Sequence, residues 1–175
     1  ALLWHGHLFA KSMFNAMILQ IILTRNPNMP ERTYHEQSII KYTKQLREIQ
    51  EQLPAFTRQF FIAIDQTTAA RTRVAYATDL KNFFEYIQLN YKAYSDIEIV
   101  DFPLHLLTDL KAEDFEQYIQ YLKLYSDKNG NDVINHERSI KRKLSALRCM
   151  YQYFHKNKII NENPILQVSM PKLHD

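Results

Sequence analysis

The longest regular pattern of apolar and polar positions in this chain falls in two segments. In residues 68–90, Tyr76, Leu80, Phe83 and Ile87 recur at helical spacing; in residues 136–157, Ile140, Leu144, Leu147, Tyr151 and Phe154 do the same. Such seams belong to helices that bury one face and leave the other in water. The pattern predicts further helices over 34–52, with Ile39, Leu46, Ile49 and Leu53 buried and Pro54 as the break, over 56–64, and over 111–126. Phe56, Phe60 and Phe61 in the short second helix are expected in the core rather than as stacking platforms. A last turn is expected at 163–168.

The connections are read from turn chemistry. Residues 91–110 are expected to form an irregular acidic connection interrupted by Pro103, and Asp127-Lys-Asn-Gly-Asn-Asp132 should reverse the chain. The whole sequence holds two glycines, Gly6 and Gly130, which leaves little material for hairpins. The expected fold class is therefore all-α.

Residues 1–28 stand apart. The apolar run from Met13 to Leu23 is interrupted by Asn15 and Gln20 and falls short of the roughly 20 residues that cross a bilayer. A lysine precedes it, but Thr-Arg-Asn-Pro follows where a signal peptide would have a small-residue cleavage site. Met29 is expected as the natural start, with upstream or foreign sequence before it; an ordinary packing helix is the alternative.

Charge changes this picture because it is unevenly placed. The formal net charge is +3, yet residues 136–158 carry seven Lys/Arg against one Glu, and residues 96–116 carry seven Asp/Glu against one Lys. A cationic stretch on an amphipathic helix is commonly just its solvated side. Here there are two. Arg71, Thr72 and Arg73 stand at the expected start of one helix, where free backbone N–H groups also favour phosphate. Arg138, Ser139, Lys141, Arg142, Ser145 and Arg148 lie largely outside the seam of the other. Together they are the candidate contacts to double-stranded DNA. Arg142 and Lys141 are the candidates for reaching base edges, the rest for positioning the backbone. Lys143 is angularly close to Ile140 and Leu147 and is expected to snorkel past the seam. The acidic connection should lie away from phosphate.

Several motifs in order resemble the core-binding, SAM-like N-terminal domain of tyrosine recombinases, the phage-integrase and Xer-type family. They are Thr72-x-x-Ala75-Tyr76-x-x-Asp79-Leu80-x-x-Phe83, Leu107-Thr108, Asp114-Phe115-x-x-Tyr118-Ile119-x-x-Leu122, Lys143-Leu-Ser-Ala-Leu-Arg148-x-x-Tyr151-x-Tyr153 and Asn163-Pro164. The resemblance implies a four-helix orthogonal bundle over 67–170 that grips DNA, preceded by a helical extension over 29–66 and followed by the start of an interdomain linker at 171–175. It also implies that strand transfer is done by a separate C-terminal catalytic domain, absent from this chain, and that further recombinase protomers act on the same DNA. By itself the chain is then expected to be no enzyme.

Other chemistry finds little support. Two isolated glycines make no phosphate-cradling loop, and no Gly-x-Ser-x-Gly elbow occurs. His5 and His7 are the one close histidine pair and lack acidic neighbours, so no metal or cofactor is expected. Asp109, Glu113, Asp114 and Glu116 are expected to stabilise a helix start. The lone Cys149 excludes an intramolecular disulfide and fits a packing role in a cytoplasmic protein without membrane contact. Two other functions remain open: a helical protein-interaction module whose basic face is merely solvated, and a helix-turn-helix transcriptional regulator.

Overall fold

The computed structural model describes residues 33–126 and 129–170, so the expectations for residues 1–28 and 171–175 lie outside the described residues. The chain divides into two compact units, residues 1–37 and 38–175. Of the first, only residues 33–37 are described. There Thr33 and Glu36 form a capping box: the Thr33 N–H donates to Glu36 Oε2 at 2.9 Å and the Glu36 N–H to Thr33 Oγ1 at 3.3 Å.

The described structure is mainly helical. We number its helices α1 (Tyr34–Gln50), α2 (Thr57–Ala63), α3 (Ala70–Asn90), α4 (Leu106–Asp109), α5 (Ala112–Lys123) and α6 (Glu137–Lys156). Two 3-10 turns, Ile99–Asp101 and Pro164–Gln167, and two strands, β1 (Tyr125–Ser126) and β2 (Asp132–Val133), complete it.

In the larger unit α3 lies along α6, and the core closes around them. Phe83 meets Tyr118 edge-on at 5.1 Å, and Phe115 meets Tyr151 likewise at 5.3 Å, so α5 is joined to both long helices through rings. Phe56 sits edge-on to Phe84 at 6.0 Å and Phe154 at 5.8 Å, bridging α3 and α6 from the turn before α2. Phe60 and Phe61 are fully enclosed, in agreement with their expected core role. Leu46, Leu53, Phe60, Phe61 and Ile64 belong to the same apolar cluster as α3, α5 and α6.

Four local expectations need correction. Ile39 is 44% exposed, and the α1 seam meets the core only from Tyr42 through Leu46 and Ile49. Tyr76 is half-buried, whereas Val74, Ala77 and Phe84 broaden the buried face of α3. The 91–110 connection is irregular only in part: a 3-10 turn and α4 interrupt it, and Tyr94, Phe102, Leu106, Leu107 and Leu110 are buried. α5 ends at Lys123 rather than continuing to 126, since Tyr125 pairs with Val133 and Ser126 with Asp132 in an antiparallel ladder. The chain does reverse where expected, with Gly130 at a φ of 80° that disfavours any side chain.

α6 runs over nearly the predicted span and ends in a Schellman motif. The Ile159 N–H reaches Phe154 O at 2.9 Å and the Lys158 N–H reaches His155 O at 3.0 Å, with Lys158 at a φ of 57°. Among the described residues no helix is long and apolar enough to cross a membrane.

Candidate nucleic-acid interface

α3 begins after Ala69, which offers no capping oxygen, and α6 begins after His136, whose side chain makes no cap bond. Around these starts the candidate residues divide by what they touch. Arg71 and Thr72 are exposed and have no partner among the described residues, and the same holds for Arg138. Lys141 is half-buried, as a long cationic side chain beside an apolar seam can be.

The others are engaged. Arg73 pairs with Asp65, closing the α2–α3 connection, and its side chain is 12% exposed. Ser139 Oγ donates to Asn135 Oδ1 at 3.1 Å, and Asn135 Nδ2 in turn donates to Leu122 O at 2.9 Å, fastening the start of α6 to the end of α5. Ser145 Oγ bonds back to Lys141 O at 2.8 Å. Arg148 Nη2 donates to Val168 O at 2.5 Å, holding the final 3-10 turn against α6, while its Nε is buried without a hydrogen-bond partner.

The centre of the α3–α6 contact is ionic. Asp79 is fully enclosed, and Arg142 Nη1 approaches its Oδ2 at 2.5 Å while Lys143 Nζ stands 3.4 Å from its Oδ1. Lys143 is itself buried, so it turns into the core instead of snorkelling outward. Burial pushes the Asp79 carboxyl above its ordinary value, and the Lys143 and Arg142 charges draw it back only in part. The Arg142 side chain remains 44% exposed. It joins His136, Arg138 and Ser139 around an open pocket of about 560 Å³.

Sequence reasoning missed Asp79 as a structural group, although a signal existed. Asp79 follows Tyr76 by three residues and precedes Phe83 by four, so it stands on the α3 seam; Lys143 stands on the α6 seam between Ile140 and Leu147. Opposite charges on two seams that must face each other imply a buried pair.

The direction of packing follows from the same contacts. Asp79 meets Arg142 and Lys143, while Tyr76, almost one turn earlier, senses Cys149, about two turns later. α3 and α6 therefore run in broadly opposite directions where they touch.

Two carboxylates of the acidic segment are engaged internally. Tyr91 donates to Asp114 Oδ1 at 2.6 Å and Tyr94 to Asp109 Oδ2 at 2.9 Å. Asp114 also accepts the Lys111 N–H at 2.7 Å, the helix-start role expected of it. Burial, reinforced by these bonds to carboxylates, pushes Tyr94 up to about 12 and holds Tyr91 well above the usual phenol value. Tyr118 and Tyr151 are enclosed and also raised by burial, so neither is a ready nucleophile. Among the described residues no cluster of His, Cys, Asp and Glu suited to a metal ion occurs.

No protein-family model and no solved structure matches the chain. Curated proteins do. Tyrosine recombinase XerC of Bacillus licheniformis is 36% identical over 102 residues, covering 51% of this chain and 31% of that protein. This stretch is related to the tyrosine recombinases. The XerC of Anoxybacillus flavithermus is 29% identical over 126 residues, covering 67% of this chain and 33% of its own length, and that of Bacillus subtilis 30% over 99 residues. The chain thus spans about a third of the length of the XerC proteins it matches. A helix-turn-helix regulator is a poor fit to the same geometry, because α5 and α6 are joined through a hairpin rather than by the short turn of three or four residues that motif uses.

Proposed function

We propose that residues 67–170 form the core-binding domain of a tyrosine-type site-specific recombinase and grip duplex DNA through α3 and α6. The observation that carries the reading is the XerC relationship, together with exposed cations at the starts of both long helices. From Arg71 to Asp79 and from Arg142 back to Arg138 the two helices rise roughly 18 Å together, about half a turn of duplex. Two cationic stations at that spacing suit successive phosphate contacts along one groove. Arg71, Thr72, Arg138 and Lys141 are the contacts best placed; Arg73, Ser139, Ser145 and Arg148 act by holding the surface in shape. The partners are double-stranded DNA, a catalytic domain in the same recombinase, and further protomers on the site, in the cytoplasm.

The binding step is electrostatic. Each phosphate neutralised releases counterions, so log affinity should fall against log salt with a slope of about −0.9 per contact. A titration of the chain with labelled duplex at several salt concentrations tests this, and salt-insensitive or absent binding would favour a protein-interaction module instead. Strand transfer needs a tyrosine in line with a phosphate whose growing charge is held by arginines. Tyr118 and Tyr151 are enclosed and Arg148 is committed to Val168, so the chain alone should form no covalent adduct on a nicked suicide substrate. A tyrosine-dependent adduct would overturn that part.

A further inference from the structure

The ionic centre between α3 and α6 holds two cations against one anion. Asp79 is fully enclosed and Lys143 is nearly so, which leaves one positive charge of the trio without an internal counterion among the described residues. A partly desolvated surplus charge is costly unless an outside anion meets it. Lys143 cannot be the group that does so, because its ammonium faces inward. Arg142 can.

The guanidinium is held from one side only. Nη1 donates to Asp79 Oδ2 at 2.5 Å and lies 3.5 Å from Ala75 O, whereas Nη2 and Nε have no partner among the described residues. Those two nitrogens carry three N–H donors, two of them parallel along one edge of a planar fork, the arrangement that matches two oxygens of a phosphate. Arg142 lines the open pocket of about 560 Å³ with His136, Arg138 and Ser139, so a second arginine stands at the same opening. Fixing Nη1 also removes rotamer freedom before any ligand arrives, so less is lost on binding.

We propose that Asp79 is a positioning residue, fixing Arg142 so that its Nε–Nη2 edge receives a nucleic-acid phosphate at this pocket. The proposal rests on the DNA-binding reading above. It assigns Arg142 to the backbone rather than to a base edge, because a side chain anchored on a neighbouring helix has lost its reach. Lys141 keeps the base-reading candidacy alone.

Asp79→Asn in the full chain separates positioning from simple electrostatics, since the substitution removes a negative charge. Net charge alone would make DNA binding tighter. Positioning makes it weaker, about tenfold on a random-sequence duplex, with a salt slope shallower by about 0.9. In an Arg142→Gln background Asp79→Asn should then cost nothing further. Tighter or unchanged binding by Asp79→Asn overturns the proposal, as does an equal loss in the Arg142→Gln background, which would mark a purely structural role. If Asp79→Asn fails to fold by circular dichroism, Arg142→Lys decides: it keeps charge and core but offers no fork, and should bind about fivefold more weakly. Affinity unchanged in that variant also sinks the idea. If the unsubstituted chain shows no salt-dependent binding, the DNA reading falls and this inference falls with it; salt-dependent binding by the unsubstituted chain without the expected losses in the variants sinks this inference alone.

Discussion

Two regions of opposite charge, the acidic stretch 96–116 and the basic stretch 136–158, look symmetrical when their formal charges are added, but the molecule uses them differently. In the acidic stretch Asp109 and Asp114 accept hydrogen bonds from Tyr94 and Tyr91 and Leu106, Leu107 and Leu110 are buried, while Asp96, Glu98, Asp101, Glu113 and Glu116 stay exposed. In the basic stretch Lys143 is buried on Asp79 and Arg148 is bonded to Val168, while Arg138 is exposed and Lys141 half-buried with neither paired among the described residues. Formal charge therefore does not measure charge available to a partner. What matters is which groups have already found one inside.

The largest effect comes from removing the same charge at two neighbouring positions. Lys143→Ala should lower unfolding free energy by about 3 kcal/mol, since it strips a counterion from a buried carboxylate and opens space. Lys141→Ala should stay within about 0.5 kcal/mol. Urea denaturation of the two variants measures the difference; equal costs would mean the two lysines are not distinguished by burial.

Next comes the charge that remains outside. Replacing Arg71, Arg138 and Lys141 together by glutamine should flatten the salt slope of DNA binding by about 2.7 and weaken binding several tens of fold at low salt. Replacing Asp96, Glu98 and Asp101 by their amides should change the slope little. A comparable response of both variants in fluorescence anisotropy would erase the distinction drawn here.

The acidic stretch is sharpened by alkali. Tyr94 titrates near 12 when folded and near 10 when unfolded, and Tyr91 is displaced in the same direction. Between those values the folded state holds more protons, so the stability from these groups is complete below about pH 10 and drains away as pH rises toward 12. Absorbance at tyrosinate wavelengths should thus rise together with loss of helical signal. Tyr94→Phe should cost about 1.5 kcal/mol near neutral pH, the worth of a hydrogen bond to a charged acceptor.

The smallest effect lies at the end of the basic helix. Lys158 occupies the left-handed position of the Schellman motif, a conformation that costs a side-chain-bearing residue roughly 1 kcal/mol. Lys158→Gly should recover about 0.5 kcal/mol, after the greater unfolded-state freedom of glycine is allowed for. Thermal melting at low salt would register it, and a loss of stability would show that the lysine charge at the helix end outweighs the strain.

Much of the fold was legible because a single period governs each long helix. Ile140, Leu144, Leu147, Tyr151 and Phe154 are all buried, as their spacing required. Residues 91–110 were not legible for the converse reason: Tyr94, Phe102, Leu106, Leu107 and Leu110 bury their side chains through turns of different pitch, so no one period marks them. For the site, the basic residues could be found by charge and seam, but their division into engaged and free groups depends on partners far away in sequence. Asp65 with Arg73 and Val168 with Arg148 illustrate this. Only the Asp79–Lys143 pair carried a local signal, two charges placed where apolar residues belong.

Cys149 offers a different use of the α3–α6 contact. It is the chain's only thiol, half-buried beside Tyr76, and burial raises it above its ordinary value, so little thiolate is exposed to attack while the helices stay packed. Its rate of alkylation should therefore rise when the contact between the two helices loosens. If DNA binds across both helices as proposed, it should slow that reaction at a single atom of the native sequence.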